Sequence, residues 1–324
     1  MFVRKRLLNI MNIGKVKSMN TAETVSIKPN KKAKKTSFKK TLKVLMFVLP
    51  AMIPMSLFWI YPILKSGWVS LTDWDYMSPD YNFVGIENYT DIFDDGRFWD
   101  AFAHTGVFAL GTIVPTIVLG LALALLLQNE LKGKAIFRFL LFSPWITPTV
   151  AISIVWSWIF QPKGGMANEI LTLLNLPTLE WINSSDTSML SVIIVTVWKS
   201  IGYACIFYLT ALDKIPAERY EAAALDGAGF FKKLIYISIP GISPTTFFLT
   251  IITMVDALKA YDQIQILTQG GPSGSTRTLT YLYYQLGFEE FKMGRASAVA
   301  IVIVLVTVAL SFLQFKLSKK WVNY

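Results

Sequence analysis

Apolar residues gather into six long blocks along this chain, at approximately 44–64, 103–127, 137–160, 188–212, 235–258 and 296–316. At a rise of 1.5 Å per helical residue, each block is long enough to cross roughly 30 Å of hydrocarbon. The last, from Ala296 to Phe315, carries no charge. The pattern predicts an all-α, polytopic membrane protein of six transmembrane helices. Trp59, Tyr61, Trp68, Trp158, Trp181 and Trp321 fall near the ends of these blocks, where aromatic rings favour the membrane interface. Pro115, Pro144 and Pro148 each remove a helix hydrogen bond, so the second and third spans are expected to tolerate kinks.

One polar stretch between blocks has a pattern of its own. Residues 218 to 233 read Glu-Arg-Tyr-Glu-Ala-Ala-Ala-Leu-Asp-Gly-Ala-Gly-Phe-Phe-Lys-Lys. Pro216 suits a first helical position, Glu218 and Glu221 favour the positive end of the helix dipole, and Gly227 can take the left-handed conformation that ends a helix. A helix of roughly 9 to 12 residues is marginal alone in water, so it needs a surface to lie against. Ala222, Ala223 and Ala224 give it high helix propensity and little bulk, which suits a tight groove on another protein. A loop helix resting on its own bundle satisfies the same pattern.

Composition agrees with a membrane protein: the 324 residues are 53% hydrophobic and 14% aromatic, with a mean hydropathy of +0.47. The formal charge of +10 is unevenly spread. Residues 1–43 hold thirteen Lys or Arg against one acid, Glu23, and read as a basic tail on an anionic leaflet rather than a nucleic-acid-binding arm. Met1 to Met11 fits neither a signal peptide nor a span, and Met19 is a second candidate start. Counting Lys and Arg on alternate sides gives 23 for the side holding both termini, 129–138 and 213–234, against 6 for the other. The positive-inside rule then places both termini and the 213–234 loop in the cytoplasm. A single cysteine, Cys205, excludes an intramolecular disulfide, and the single histidine leaves no His/Cys cluster for zinc. That histidine, His104, reads as a membrane-edge or helix-packing residue. The first outer loop is acidic, with Asp73, Asp75, Asp80, Glu87, Asp91, Asp94, Asp95 and Asp100 against Arg97, as a solvated face would be.

Lys199 is the one charge near mid-membrane, roughly 17 Å down the fourth span by helical rise. An ionisable residue there faces a cavity or a partner. Asp256, near the outer end of the fifth span, lies within reach of a lysine stem. A structural Lys199–Asp256 pair and a role in a substrate cavity both fit.

Glu221-Ala222-Ala223, then Gly227, then Ile237 and Ile239-Pro240 resemble the EAA loop of importer-type ABC permeases, with Ile239 in place of leucine. Phe83 to Tyr89 (Phe-Val-Gly-Ile-Glu-Asn-Tyr) with Phe98-Trp99, Gly133 to Arg138, Asp262-Gln263, Leu267 to Pro272, Phe288 and Met293-Gly294 resemble segments of carbohydrate-uptake permeases. The resemblance covers about residues 44–322. It implies a permease domain over 44–322 with a coupling loop at 213–240, behind a cytoplasmic tail at 1–43. Glu221, Ala222, Ala223 and Gly227 would then couple to an ATPase.

The resemblance also implies partners: a second homologous permease, two ATPase domains that bind ATP and Mg, and an extracytoplasmic solute-binding protein met by the outer surface. This chain, in a bacterial-type cell membrane, would carry no cofactor and catalyse nothing; it would import sugar or a related polyol by alternating access. Aligned on Glu221 and Gly227, the positions lining the sugar site of the maltose-transporter permease fall on Thr196, Lys199, Ser200, Tyr203, Thr253, Asp256, Ala257 and Ala260. Only Tyr203 keeps the maltose-type residue, so maltose specificity does not carry over, and the lysine admits an acidic sugar or phosphorylated polyol. Gly270 to Gly274 lacks a following Gly-Lys-Ser/Thr and is a turn, not a phosphate loop. An ion-driven secondary sugar transporter would call for inverted repeats or acid relays. A membrane enzyme acting on a lipid-linked sugar would call for a convergent catalytic constellation. Neither pattern stands out.

Overall fold

The computed structural model describes residues 38–128 and 133–322, so most of the expected basic tail lies outside the described residues. The helix α1 (Phe38–Met55) begins inside the stretch 1–43 and carries Pro50 and Pro54. From Ser56 onward the chain forms a second compact unit. A π-helical turn at Ser56–Ile60 leads into α2 (Tyr61–Val69), and Leu45–Val69 is long and apolar enough to cross a membrane. After the outer loop come α3 (Glu87–Asp94) and the 33-residue α4 (Gly96–Gln128), which runs unbroken through Pro115.

The third and fifth apolar blocks are broken. α5 (Lys134–Ile146) and α6 (Thr149–Ile159) meet at 100°, the break falling at Thr147-Pro148. Pro144 sits within α5 and does not itself break it. Proline at 148 disfavours the helical conformation for Thr147, which is extended at φ −71°, ψ 137°. α7 (Met166–Leu173) precedes α8 (Ser188–Leu212), the fourth unbroken apolar helix being α15 (Met293–Ser318). Between them lie α9 (Ala217–Leu225), α10 (Phe230–Lys233), a π-helical turn at Leu234–Ser238 and α11 (Ile239–Gly241). A 65° bend then leads into α12 (Ser243–Leu258), followed by α13 (Asp262–Leu267) and α14 (Leu279–Tyr284). Among the described residues, four helices thus qualify by length and composition as unbroken spans, and up to six if each bent pair counts as one.

The centre of the second unit is α8. It packs along α4 through small residues: a Cβ on Gly120 would fall 2.6 Å from that of Ala204, and one on Gly111 2.6 Å from Ile193 Cδ1. In a membrane, where burial from water supplies no drive, such close backbone approach supplies the van der Waals contact that holds helices together. Ala124, Leu127, Cys205, Tyr208, Leu212 and Leu249 fill one end of this interface, and Tyr208 donates its hydroxyl to Thr246 Oγ1 at 3.1 Å. Trp181, expected at the membrane edge, is instead buried. It stacks on Phe160 at 4.8 Å and donates Nε1–H to Asn168 Oδ1 at 2.8 Å, because Asn168 folds the 161–187 loop inward. His104, expected at a membrane edge or in packing, has its Nδ1 3.3 Å from the Arg277 carbonyl.

The Phe83–Tyr89 segment works as a staple. Gly85 takes φ +65°, and Asn88, buried, donates from Nδ2 to the carbonyls of Ser70 and Thr72 at 2.9 and 2.7 Å. The Tyr89 hydroxyl lies 2.8 Å from Ser70 Oγ. The Gly294 N–H donates to the Trp74 carbonyl, and a Cβ at Gly294 would lie 2.0 Å from the Thr72 carbonyl oxygen. The end of α2 is thereby tied to the start of α15. Asn88→Leu leaves two buried carbonyls without their donor, and a loss of about 1–3 kcal/mol is expected in the thermal unfolding of the detergent-solubilised protein. Thr90→Val, which removes only an exposed hydroxyl bond to Glu87, serves as the near-neutral control.

Candidate functional site

Helices α4, α5, α6, α8 and α12, with the 259–263 segment, line a cavity of about 340 Å³. Seven of the eight positions drawn from the resemblance line it: Thr196, Lys199 and Ser200 from α8, Thr253, Asp256 and Ala257 from α12, and Ala260 beyond it. The eighth, Tyr203, is one turn further along α8 from Lys199 and Ser200 and does not line this cavity. It stacks instead against Trp145 of α5, which does, with ring centroids 4.3 Å apart and planes at 22°.

Lys199 donates to Thr149 Oγ1 at the first turn of α6, beside the break. No ion pair joins Lys199 to Asp256 among the described residues, so the structural-pair expectation is not met; the nearer hydroxyl takes the ammonium. Both charged groups remain on the cavity wall, together with Lys259 and Asp262. The wall therefore carries two cations and two anions. Gln263 Nε2 donates to Thr196 Oγ1 at 3.5 Å, and Thr112 Oγ1 is buried without a hydrogen-bond partner. Tyr261 completes the wall, its hydroxyl pushed well above the usual range by burial and by Tyr284 alongside, so it stays neutral and available for hydrogen bonding. Threonines, an amide, charges of both signs and an indole in one concavity suit a polar, hydroxylated ligand with an apolar side.

The 213–234 stretch lies apart from the cavity. α9 starts one residue later than expected, with Pro216 as its cap at ψ 131° rather than its first helical residue. Its end is as read: Gly227 takes φ +74°, its N–H donates to the Ala224 carbonyl at 3.0 Å, and Ala228 N–H reaches the Ala223 carbonyl at 2.8 Å. Glu221 and Ala222 are exposed, Ala223 is half-buried, and Leu225 is 90% exposed. Phe230, Phe231 and Tyr236 add to this apolar surface. Tyr220 faces the other way and meets Ser238 Oγ at 3.0 Å through its hydroxyl.

Residues 116–323 match the family described as the inner membrane component of binding-protein-dependent transport systems. The chain belongs to this family. The permease is 34% identical over 278 residues to the probable ABC transporter permease protein YurN of Bacillus subtilis (strain 168), spanning 85% of this chain and 95% of that one. It is 30% identical over 323 residues to the diacetylchitobiose uptake system permease protein NgcF of Streptomyces coelicolor, spanning 92% and 90%. It is also 30% identical over 278 residues to the sn-glycerol-3-phosphate transport system permease protein UgpA of Pectobacterium atrosepticum, spanning 86% and 94%. In fold it matches a chain of a bacterial alginate ABC transporter solved in complex with an alginate pentasaccharide-bound periplasmic protein. That match has a TM-score of 0.75 at 20% identity, over 87% of this chain and 96% of that one.

Trp145, Thr149 and Gln263 of the permease were not reached by counting from the 221–227 motif, because they enter the cavity from other elements. What seats Trp145 is Gly202. A Cβ there would lie 1.6 Å from the Leu141 carbonyl oxygen, so α5 and α8 cross in direct backbone contact, one turn from the Trp145–Tyr203 stack. Gly202→Ala forces the backbones apart, and the expected loss is about 1–3 kcal/mol in thermal unfolding, with a matching fall in transport. Gly106→Ala, on α4 with open space around it, is expected to be neutral or to stabilise by up to about 1 kcal/mol.

Proposed function

We propose that this permease moves a sugar or closely related polyol across the membrane by alternating access, with the 340 Å³ cavity as its substrate site. The observation that carries the reading is the convergence of Thr196, Lys199, Ser200, Thr253 and Asp256, from two helices, on one polar cavity. Relatives named for diacetylchitobiose and sn-glycerol-3-phosphate uptake support a polyhydroxylated substrate. On this reading the chain works beside a second, homologous permease and two ATPase domains that bind ATP and Mg, and receives substrate from an extracytoplasmic binding protein. Both termini and α9 face the cytoplasm, in keeping with the Lys and Arg distribution.

The coupling element is α9, with Glu221, Ala222, Ala223 and Gly227 in the contact. Its support is physical: a nine-residue helix with an almost fully exposed Leu225 calls for a covering surface. ATP binding shifts the transporter only to the extent that the closed ATPase pair favours one state of the permease over the other. Leu225→Asp changes no contact within the chain and is expected to cut ATP-dependent uptake at least tenfold, with normal amounts in the membrane. Gly227→Pro should do the same, since proline cannot adopt φ +74° and lacks the N–H that closes the helix. Uptake at the unmodified rate in both variants overturns the coupling assignment, and uptake that persists without ATP overturns the importer reading.

A further inference from the structure

A separate cavity of about 300 Å³ lies at the joint between α4, α9 and the segment that leads to α12. Gln128 enters it from the last turn of α4, Tyr220 from α9, Lys233 from the end of α10 and Ser238 from the π-helical turn. Lys233 is half-buried, and among the described residues its ammonium forms no ion pair. It brings a positive charge and three hydrogen-bond donors. Beside it stand the Gln128 amide and the hydroxyls of Tyr220 and Ser238, 3.0 Å from each other. Leu125, Phe230 and Leu234 make the remaining wall apolar, and no acidic side chain among the described residues lines the hollow. In this it differs from the cavity between α8 and α12, whose wall carries charges of both signs.

We infer that this cavity binds the phosphate group of an anionic ligand, and that its occupancy regulates how α9 acts on the rest of the permease. The regulatory part rests on the reading of α9 as the coupling element; the binding part does not. Phosphate oxygens accept from Lys233, from the Gln128 amide and from the hydroxyl pair, and such charge-assisted bonds are the strong ones. The last turn of a membrane-spanning helix lies at headgroup depth, on the side to which the Lys and Arg distribution assigns α9. The glycerophosphate headgroup of an inner-leaflet phospholipid therefore fits by depth, by charge and by the apolar wall, and basic hollows between membrane helices take such headgroups. A zwitterionic headgroup brings its own ammonium and gains less from a single cation. The bound group would bridge the end of α4 to Lys233 and to the Tyr220–Ser238 contact, which ties α9 to the π-helical turn. A movement of α9 that parts these groups breaks the site. The ligand thus binds the present arrangement better than the moved one, and it shifts the population towards the present arrangement by that difference.

The test uses the full chain with its native partner subunits, purified into lipid nanodiscs, and a photoactivatable phosphatidylglycerol as the probe. Labelled peptides are mapped by mass spectrometry. Basal ATP hydrolysis is compared between phosphatidylcholine alone and a mixture with phosphatidylglycerol. Labelling is expected in peptides holding residues 125–128 and 220–238. It should fall about fivefold with Lys233→Gln, the worth of one basic residue at an anionic surface. It should persist with Lys233→Arg, and with Lys232→Gln, whose exposed side chain lies outside the cavity. Hydrolysis by the parent is expected to be about threefold lower in the mixture, a difference that disappears in Lys233→Gln. Labelling that ignores Lys233→Gln overturns the site. An equal fall with Lys232→Gln overturns it too, by showing diffuse charge attraction, as does an equal fall with Lys233→Arg, by making Lys233 structural. Displacement of the probe by inorganic phosphate supports the site and assigns it to a soluble phosphate; retention supports the lipid headgroup. Lys233-dependent labelling with equal hydrolysis in the two lipids overturns the regulatory role, while the coupling assignment still stands or falls by Leu225→Asp.

Discussion

At Gly202 the backbone of α8 meets that of α5 with no side chain between them, and the rest of the cavity is built outward from that crossing. Close approach there brings Trp145 over Tyr203, leaving the indole on the wall while the tyrosine is withdrawn behind it. On its other flank α8 packs against α4 through side chains, Ile193 on Gly111 and the Ala204 methyl on Gly120. One helix thus holds two close neighbours, and the polar residues it carries, Thr196, Lys199 and Ser200, are fixed between them. In hydrocarbon this contact has to come from fit, since no water is displaced when two apolar helices meet. Glycine is tolerated at these positions because neighbours on both sides oppose its freedom.

The breaks in the third and fifth apolar blocks follow from the same environment. A helix that stops inside a membrane leaves carbonyl and amide groups without partners, so breaks survive only where protein or a polar cavity can satisfy them. At Thr147 the side chain does part of this, donating its hydroxyl to the Ser143 carbonyl at 2.9 Å, and Lys199 reaches Thr149 just beyond. At the second bend Ser243 donates its hydroxyl to the Pro240 carbonyl at 2.7 Å, and the π-helical turn at Leu234–Ser238 lies immediately before it. The first break borders the cavity, with Thr149 and Lys199 on its wall. A lysine within a membrane-spanning helix is then less costly than in lipid, since it sits between a hydroxyl and the carboxylate-bearing wall of a hollow.

Much of this was legible in the residues, and the failures have a common cause. The ends of α9 were readable because caps are local: Gly227 and the alanines specify a left-handed stop within five residues, and only the role of Pro216 shifted by one position. The six apolar blocks were readable because long apolar runs are local too, and the kink expected of the third proved at Pro148 to be a break into two helices at 100°. Seven cavity positions came from the resemblance, carried along the chain from Glu221 and Gly227, and α8, α12 and the residues just after α12 bring them to one wall. Tyr203 fell just beyond that wall. Trp145, Thr149 and Gln263 could not be found by counting, since their place depends on how α5, α6 and α13 fold back onto α8. Lys199 found Thr149 rather than Asp256 for the same reason: the sequence gives the reach of a lysine stem, but not which partner comes within it.

The route from α9 to the cavity is short and mechanically plain. Tyr220, on the face of α9 opposite its exposed apolar residues, meets Ser238 at the end of the π-helical turn, and six residues later α12 is under way, carrying Thr253 and Asp256 to the wall. A push on α9 would therefore be delivered close to the 65° bend that precedes α12. α12 is bound to α8 by Tyr208 and Thr246 on this side of the cavity, so a rotation about the bend that leaves this bond intact swings the far half of α12 most. The residues displaced would be Asp256 and Ala260, which share the cavity wall with Lys199 and Ser200 of α8. Opening the cavity by this motion would separate the α12 side of the wall from the α8 side, and a ligand that bridges the two would oppose that separation. On the proposed function, substrate and nucleotide would then act on the same coordinate from its two ends, as reciprocal coupling between two sites requires.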